Sequence, residues 1–323
     1  MGAPALMVII GTAVALTTIG WSARSMMRPN PSLPGQAAQA LRAAGRRTMT
    51  ALVATAATIA GFALWIALEP GSTALPIALA PAISAAVGVG VYSLLPQRWA
   101  EGPDTAVTPT RTASLEPRTW WNQSPRLPRA LLIGSLAATL GLLVVGGVTS
   151  SVDEHGNPVL SREFAGGTML VSAGPYPGWH YAVPLIAAVT VLAGVTMVAM
   201  RRLNTTAALP GPGLAGADAA WRRGSASVVC LISLAGLNLT LGGVAFIVGS
   251  AVHGVHQNVA SAWSVAGAGL MIGGAVAVLT AAPALTLAVL RSVDLTNRAV
   301  DAASTIGTTR AGSAAGTGGM APR

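Results

Sequence analysis

Residues 222–252 read RRGSASVVCLISLAGLNLTLGGVAFIVGSAV, and this stretch indicates how the whole chain is built. Two arginines precede an apolar run, 225–252, that contains no Asp, Glu, Lys, Arg or His. About 20 predominantly apolar residues are enough to cross a bilayer as a helix. The run is therefore long enough to cross a membrane with a tilt, or to project beyond the hydrocarbon.

Several other stretches share this character, so we predict an all-α integral membrane protein with about seven transmembrane helices. Only 9% of its 323 residues are charged and 52% are hydrophobic, whereas a soluble domain carries roughly 25% charged residues. Abundant Gly and Ala suit helix packing in lipid, where small residues let helices approach closely. The predicted spans are residues 3–23, 49–68, 74–95, 130–148, 182–200, 225–252 and 263–290.

The spans belong to one predicted transmembrane domain, residues 1–300, followed by a tail. Residues 301–323 are rich in Gly, Ala, Ser and Thr, a composition that predicts a disordered cytoplasmic tail. The first apolar segment also has the length of a signal peptide. Its basic residues, Arg24 and Arg28, follow the segment rather than precede it, which favours an uncleaved anchor.

The basic residues predict an orientation for the bundle. All nineteen are arginines, and eighteen of them fall in every second connection or in the tail; only Arg162 falls elsewhere. The positive-inside rule then places the N-terminus outside and the C-terminus in the cytoplasm. The absence of Lys, with abundant Ala, Gly, Pro and Arg, indicates a GC-rich bacterial genome. We therefore predict a multi-pass protein of the bacterial cytoplasmic membrane.

The net charge of +9 does not predict nucleic-acid binding, because the arginines flank apolar spans instead of clustering on a soluble domain. Their predicted partner is the anionic inner leaflet. Tryptophan and arginine side chains anchor proteins at membrane interfaces. The predicted lipid-interface anchors are Arg118, Trp120, Trp121 and Trp179. A docking site for a cytoplasmic protein is the alternative for the tryptophan pair.

The outer connection, residues 149–181, is the most distinctive polar segment. Residues 151–158 are acidic and typical of turns, residues 164–171 have the composition of a short strand, and residues 175–181 are aromatic. The aromatic part fits a belt at the outer interface. The alternative is that the whole connection packs over the bundle as a lid.

Histidines at the outer ends of the spans are candidate metal ligands. His253 and His256 are three residues apart, so they share one side of a helix if the sixth span continues that far. His180 starts the fifth span, and His155 lies in the facing loop. Imidazole binds transition metals, and two imidazoles can hold a haem axially. Such spacings also arise by chance, and interfacial histidines are commonplace.

Few polar residues interrupt the spans. Asn238 is the most polar of them and is predicted to pin helices together by hydrogen bonding. Gly269 and Gly273 form a Gly-x-x-x-Gly pair that predicts close helix packing. The lone Cys230 excludes an intramolecular disulfide and is predicted to be a packing residue.

Three functions remain open at this point, and no cofactor is predicted for the first. A non-enzymatic membrane component fits best: a permease-like subunit, or an assembly or scaffold factor of the cell envelope, associated with another membrane or cytoplasmic subunit. The alternative is a metal- or haem-binding membrane protein that uses the outward-facing histidines. A membrane enzyme acting through Asp153, Glu154 and His155 ranks last, because nothing in the sequence orients these side chains.

Overall fold

The computed structural model describes residues 35–68, 74–95, 126–164, 169–206, 215–256 and 262–315. Nearly all of them are helical. The helices are α1 (Gly35–Leu68), α2 (Ala74–Leu94), α3 (Arg126–Thr149), α4 (Trp179–Thr205), α5 (Ala215–His256) and α6 (Ala262–Ala315). Each of the six is long and apolar enough to cross a membrane. The prediction of a helical, multi-pass membrane bundle is confirmed.

The count of seven and the orientation stay predictions, because the first predicted span, residues 3–23, lies outside the described residues. The other six spans coincide with α1 to α6. Most of these helices extend several residues beyond the predicted spans. A hydropathy pattern identifies only the residues that cross the hydrocarbon core of the bilayer. The helix itself can continue into the headgroup region as long as its backbone hydrogen bonds continue.

The last helix is longer than the sequence indicated. It continues to Ala315, so residues 301–315 are helical where we predicted a disordered tail. Alanine has the highest intrinsic helix propensity and recurs through this segment, which favours continuation of the helix. The remainder of the tail, 316–323, lies outside the described residues.

Helix α5 is the centre of the bundle. It packs against α2, α3, α4 and α6, while α1 packs against α2 and α6. The main core contains Leu192 of α4, Ile232 of α5 and Val89 of α2, all almost completely buried. A second core lies near the opposite end of α5 and includes Leu185 and Val248. The bundle is therefore organised around one enclosed helix.

Glycine residues lie at the contact between helices α5 and α6. A Cβ atom added at Gly242 would lie 2.6 Å from the Gly274 carbonyl oxygen, and one at Gly249 would lie 2.6 Å from that of Gly267. These distances are too short for any side chain larger than hydrogen. Backbone-to-backbone contact of this kind replaces the hydrophobic effect as the source of helix association in lipid.

The two ends of the bundle differ in composition. At one end lie Arg47 in the N-terminal half of α1, Arg129 near the start of α3 and Arg202 near the end of α4. We call this the arginine end. At the other end a small antiparallel sheet connects α3 to α4, and we call this the sheet end.

The sheet has three strands in the order β1 (Ser151–Val152), β2 (Pro158–Phe164) and β3 (Met169–Ala173). Leu160 pairs with Ala173, and Ser151 pairs with Val159. Both β2 and β3 contact α5, and Leu160 is buried in the second core. The connection between α3 and α4 therefore packs over the end of the central helix, as the lid alternative predicts.

Candidate functional site

Arg222 forms the most extensive polar contact at the arginine end. Its Nε donates to the Asp218 carboxylate at 2.7 Å, and both side chains are buried. Its Nη1 donates to the carbonyl oxygen of Leu203, and its Nη2 donates to that of Thr206 at 2.8 Å. The carbonyls at a helix C-terminus lack partners within the helix. Arg222 of α5 therefore caps the end of α4.

Two more arginines cap α2 in the same way. Arg47 of α1 donates from Nε to the Tyr92 carbonyl oxygen, and Arg202 of α4 donates from Nη1 to that of Ser93. The Arg47 guanidinium carbon also lies 4.3 Å from the centroid of the Tyr92 ring, a cation–π geometry. The buried Arg47 and Arg222 and the exposed Arg202 thus join α1, α2, α4 and α5 at this end.

A chain of hydrogen bonds crosses the bundle near its middle. Ser135 of α3 donates to the Asn238 side-chain oxygen at 2.7 Å, and the Asn238 amide donates to Thr280 of α6 at 2.9 Å. The Thr280 hydroxyl in turn donates a hydrogen bond to the carbonyl oxygen of Ala277. The prediction that Asn238 pins helices together is confirmed, and it joins three helices.

We expect Asn238→Ala to lower the free energy of unfolding by about 1 kcal/mol, the scale of interhelical hydrogen bonds within membranes. The variant removes both bonds that tie α3 and α6 to α5. Unfolding in mixed detergent micelles, followed by circular dichroism, measures the effect. Thr286→Ala is the matched control, because among the described residues Thr286 bonds only to Ala282 of its own helix. Equal destabilisation by the two variants would contradict a role in joining helices.

A lateral groove runs between α3 and α4, with α5 as its floor. Arg129 stands at its arginine end. Its other lining residues are almost all apolar: Leu132, Ile133, Leu136, Leu192, Ala193, Met197, Met200, Cys230 and Leu237, with the hydroxyls of Thr196 and Ser233. Cys230 is buried here, as a packing residue would be.

The outward surface of α6 carries a row of small residues. Gly269 and Gly273 are exposed, and a Cβ atom added at either would meet nothing within 4 Å among the described residues. The prediction that this pair packs closely is therefore wrong within the described bundle. The glycines that do contact α5, Gly267 and Gly274, lie on the opposite side of the helix.

At the sheet end, Tyr176 and Asp153 hold the connection between α3 and α4 in place. Thr149 donates its only hydroxyl proton to the Val145 carbonyl oxygen, so the Tyr176 hydroxyl is the donor in its 2.7 Å bond with Thr149. Asp153 accepts the backbone N–H groups of Asn157 at 2.7 Å and of His155 at 2.9 Å. These bonds, first that from Asn157, hold the pKa of the exposed Asp153 carboxyl below its ordinary value.

The histidines take separate positions at the sheet end. His253 Nδ1 lies 3.1 Å from the Ser264 hydroxyl, and the His256 ring stacks on Trp263 with centroids 6.3 Å apart. Both therefore face α6, as their spacing predicts. His180 is exposed beside Tyr181, and His155 is exposed in the turn between β1 and β2.

Within the described ranges, no three His, Cys, Asp or Glu side chains are grouped so that they would hold a metal ion. The contacts with Ser264 and Trp263 give His253 and His256 a structural role in joining α5 to α6. The metal or haem hypothesis stays a prediction.

Of the four predicted interface anchors, only Trp179 lies within the described residues. Trp179 begins α4, and its side chain is 48% exposed while one ring face lies against Gly147. An amphipathic ring that is half covered by protein suits an interface position. Arg118, Trp120 and Trp121 lie outside the described residues.

Sequence reasoning missed the Asp218–Arg222 pair and the groove beside Arg129. Residues 201–224 lie between two predicted spans and were not predicted to be helical, although the spacing of four between Asp218 and Arg222 is that of a helical ion pair. The groove is formed by three segments that are distant in the sequence, so no sequence motif predicts it. Comparison with family models, curated proteins and solved structures found no match. Function must therefore be argued from the geometry of this chain.

Proposed function

We propose that this protein is a non-enzymatic scaffold or assembly subunit of the bacterial cytoplasmic membrane, which pairs with another membrane subunit through α6. A permease-like subunit, also non-enzymatic, is included in this proposal. The observation that carries the proposal is the outward row of small residues around Gly269 and Gly273. Interfaces between membrane helices are enriched in such residues, because they let backbones approach.

The row continues along α6 with a regular spacing. Its members are exposed and recur at intervals of three and four residues: Ala266, Gly269, Gly273, Val276, Thr280, Pro283 and Leu287. Thr280 belongs to this row by its exposure, and its hydroxyl also accepts the hydrogen bond from Asn238 of α5. A mean spacing of 3.5 residues keeps the same side of a helix in contact with a partner helix when the two form a left-handed supercoil. Small residues occupy the half nearer the sheet end, where a partner helix would approach most closely.

The packing inside the bundle favours a structural role over a role in which a substrate passes through the bundle. Helix α5 is enclosed by four helices, with Leu192 and Ile232 among the fully buried side chains around it. Glycine contacts such as Gly236 against Ala85 and Pro81 bring α5 and α2 together in the same tight way. The surfaces of such a bundle are the part available for interaction.

The arginine end is proposed to face the cytoplasm, with residues 3–23 as a seventh span and the N-terminus outside. Exposed Arg201 and Arg223 at this end are then positioned to meet the anionic lipid of the inner leaflet. The anchoring arginines and tryptophans would fix the depth of the bundle while α6 binds its partner.

Site-specific photocrosslinking in intact membranes tests the proposal. A photoreactive phenylalanine analogue is placed at Val276 on α6, or at Val191, an equally exposed residue on α4. We expect a discrete adduct heavier than one chain from Val276 only, and its mass identifies a second copy or a different subunit. Gly273→Leu should reduce that adduct roughly tenfold, since a large side chain blocks close approach.

Two results would overturn the proposal. One is that both positions yield only lipid adducts. The other is an adduct within one chain, for instance with residues 3–23, because the row would then be an internal contact. Gel filtration of the Gly273→Leu variant shows whether the monomer itself is intact, which we expect from the open space around Gly273.

A further inference from the structure

The groove between α3 and α4 is somewhat shorter than the hydrocarbon of one lipid leaflet. Along α4 it extends from Leu192 to Met200, and along α5 from Cys230 to Leu237. A rise of 1.5 Å per residue gives it a length of about 10–12 Å. One leaflet of a bilayer contributes about 15 Å of hydrocarbon. The groove thus extends from the arginine end toward the bilayer centre.

The walls of the groove present an apolar surface despite two hydroxyl groups. Thr196 donates its proton to the Leu192 carbonyl oxygen at 2.7 Å, so Ser233 is the donor in its 2.7 Å bond with Thr196. The two hydroxyl groups bond to each other across α4 and α5 instead of projecting into the groove. An occupant therefore meets methyl and methylene groups along most of its length.

Positive charge stands only at the arginine end of the groove. Arg129 lines it, and the antiparallel arrangement of α3 and α4 places Arg126 and Arg201 at the same end. Guanidinium groups bind phosphate oxygens with charge-assisted hydrogen bonds. A molecule with an anionic phosphate at one end and a hydrocarbon chain at the other matches both parts.

We propose that this groove binds one glycerophospholipid, with an acyl chain between α3 and α4 and an anionic headgroup at Arg129. This inference rests on the groove alone and is independent of the pairing proposed for α6. The lipid fills the space above Cys230 and Ser233 that no side chain of the described bundle occupies. It would act as a structural component that holds α3 and α4 at their observed separation.

Native mass spectrometry of the full-length protein in detergent tests this inference. The probes are dioleoylphosphatidylglycerol, which is anionic, and dioleoylphosphatidylcholine, which is zwitterionic and has the same chains. We expect the first bound lipid to be phosphatidylglycerol by preference. Arg129→Gln should weaken its binding roughly fivefold, the effect of one basic residue at a membrane surface. Arg291→Gln, exposed at the same end but on α6 and away from the groove, should leave the binding unchanged.

A second pair of variants tests the chain-binding part. Ala193→Phe places an aromatic ring in the groove and should weaken binding of both lipids tenfold or more. Ala187→Phe adds the same ring to an exposed position of α4 outside the groove and should change neither affinity. Elution and thermal stability of each variant distinguish loss of a lipid site from loss of the fold.

The inference fails if Ala193→Phe binds lipid like the wild type, or if Arg129→Gln keeps the full preference for phosphatidylglycerol. It also fails if Ala193→Phe changes only the oligomeric mass, since the groove would then bind a protein.

Discussion

Replacing Arg222 with Met is expected to lower the free energy of unfolding by about 3–5 kcal/mol, the cost of breaking a buried ion pair by removing one partner. The substitution removes the guanidinium from the buried Asp218 carboxylate. It also removes the donors that reach the carbonyl oxygens of Leu203 and Thr206 at the end of α4. Unfolding in mixed micelles, followed by circular dichroism, measures this loss.

The neighbouring arginine is the natural control. Arg223 is exposed, and its Nε donates to the Ala219 carbonyl oxygen of its own helix at 3.3 Å. We expect Arg223→Met to change the free energy of unfolding by less than about 0.5 kcal/mol. If the two arginine variants were equally stable, the contacts of Arg222 would not hold α4 to α5.

A double variant separates the charge from the capping bonds. Asp218→Leu combined with Arg222→Met replaces the ion pair by apolar groups, which is often close to neutral. The carbonyl oxygens at the end of α4 still lose their donors. We therefore expect the double variant to be more stable than Arg222→Met alone and less stable than the wild type.

The helical bundle was predictable from the sequence because hydropathy dominates in lipid. An apolar run with unpaired backbone groups cannot cross hydrocarbon, so each such run must be a helix. The arginines then fixed which ends lie together, and the structure brings Arg47, Arg202 and Arg222 to one end as their alternation implies. Asn238 was found because a strongly polar group in a span needs a partner.

The rotation of each helix was not predictable in this way. Gly267, Gly269, Gly273 and Gly274 differ little in sequence context, yet two contact α5 and two face outward. Which side of α6 is buried depends on the shape of α5, and hydropathy carries no such information when both sides are apolar. The groove was not predictable for the same reason, because Arg129 and Ala193 become neighbours only after α3 and α4 have packed.

Adding a single methyl group at Gly274 or Gly273 tests that rotation directly. A Cβ atom at Gly274 would lie 2.7 Å from the Gly242 carbonyl oxygen, whereas one at Gly273 would meet nothing within 4 Å among the described residues. Both Gly→Ala substitutions gain the same helix propensity, up to about 1 kcal/mol, so their difference isolates packing.

We expect Gly274→Ala to destabilise the bundle by about 1–3 kcal/mol, the cost of overpacking, because α5 and α6 must separate. Gly273→Ala should leave stability unchanged or raise it slightly. Denaturant titration of the two purified variants under identical detergent conditions gives both values. A larger loss at Gly273 would mean that α6 turns its other side toward α5. The row proposed to bind a partner would then be the internal seam of the bundle.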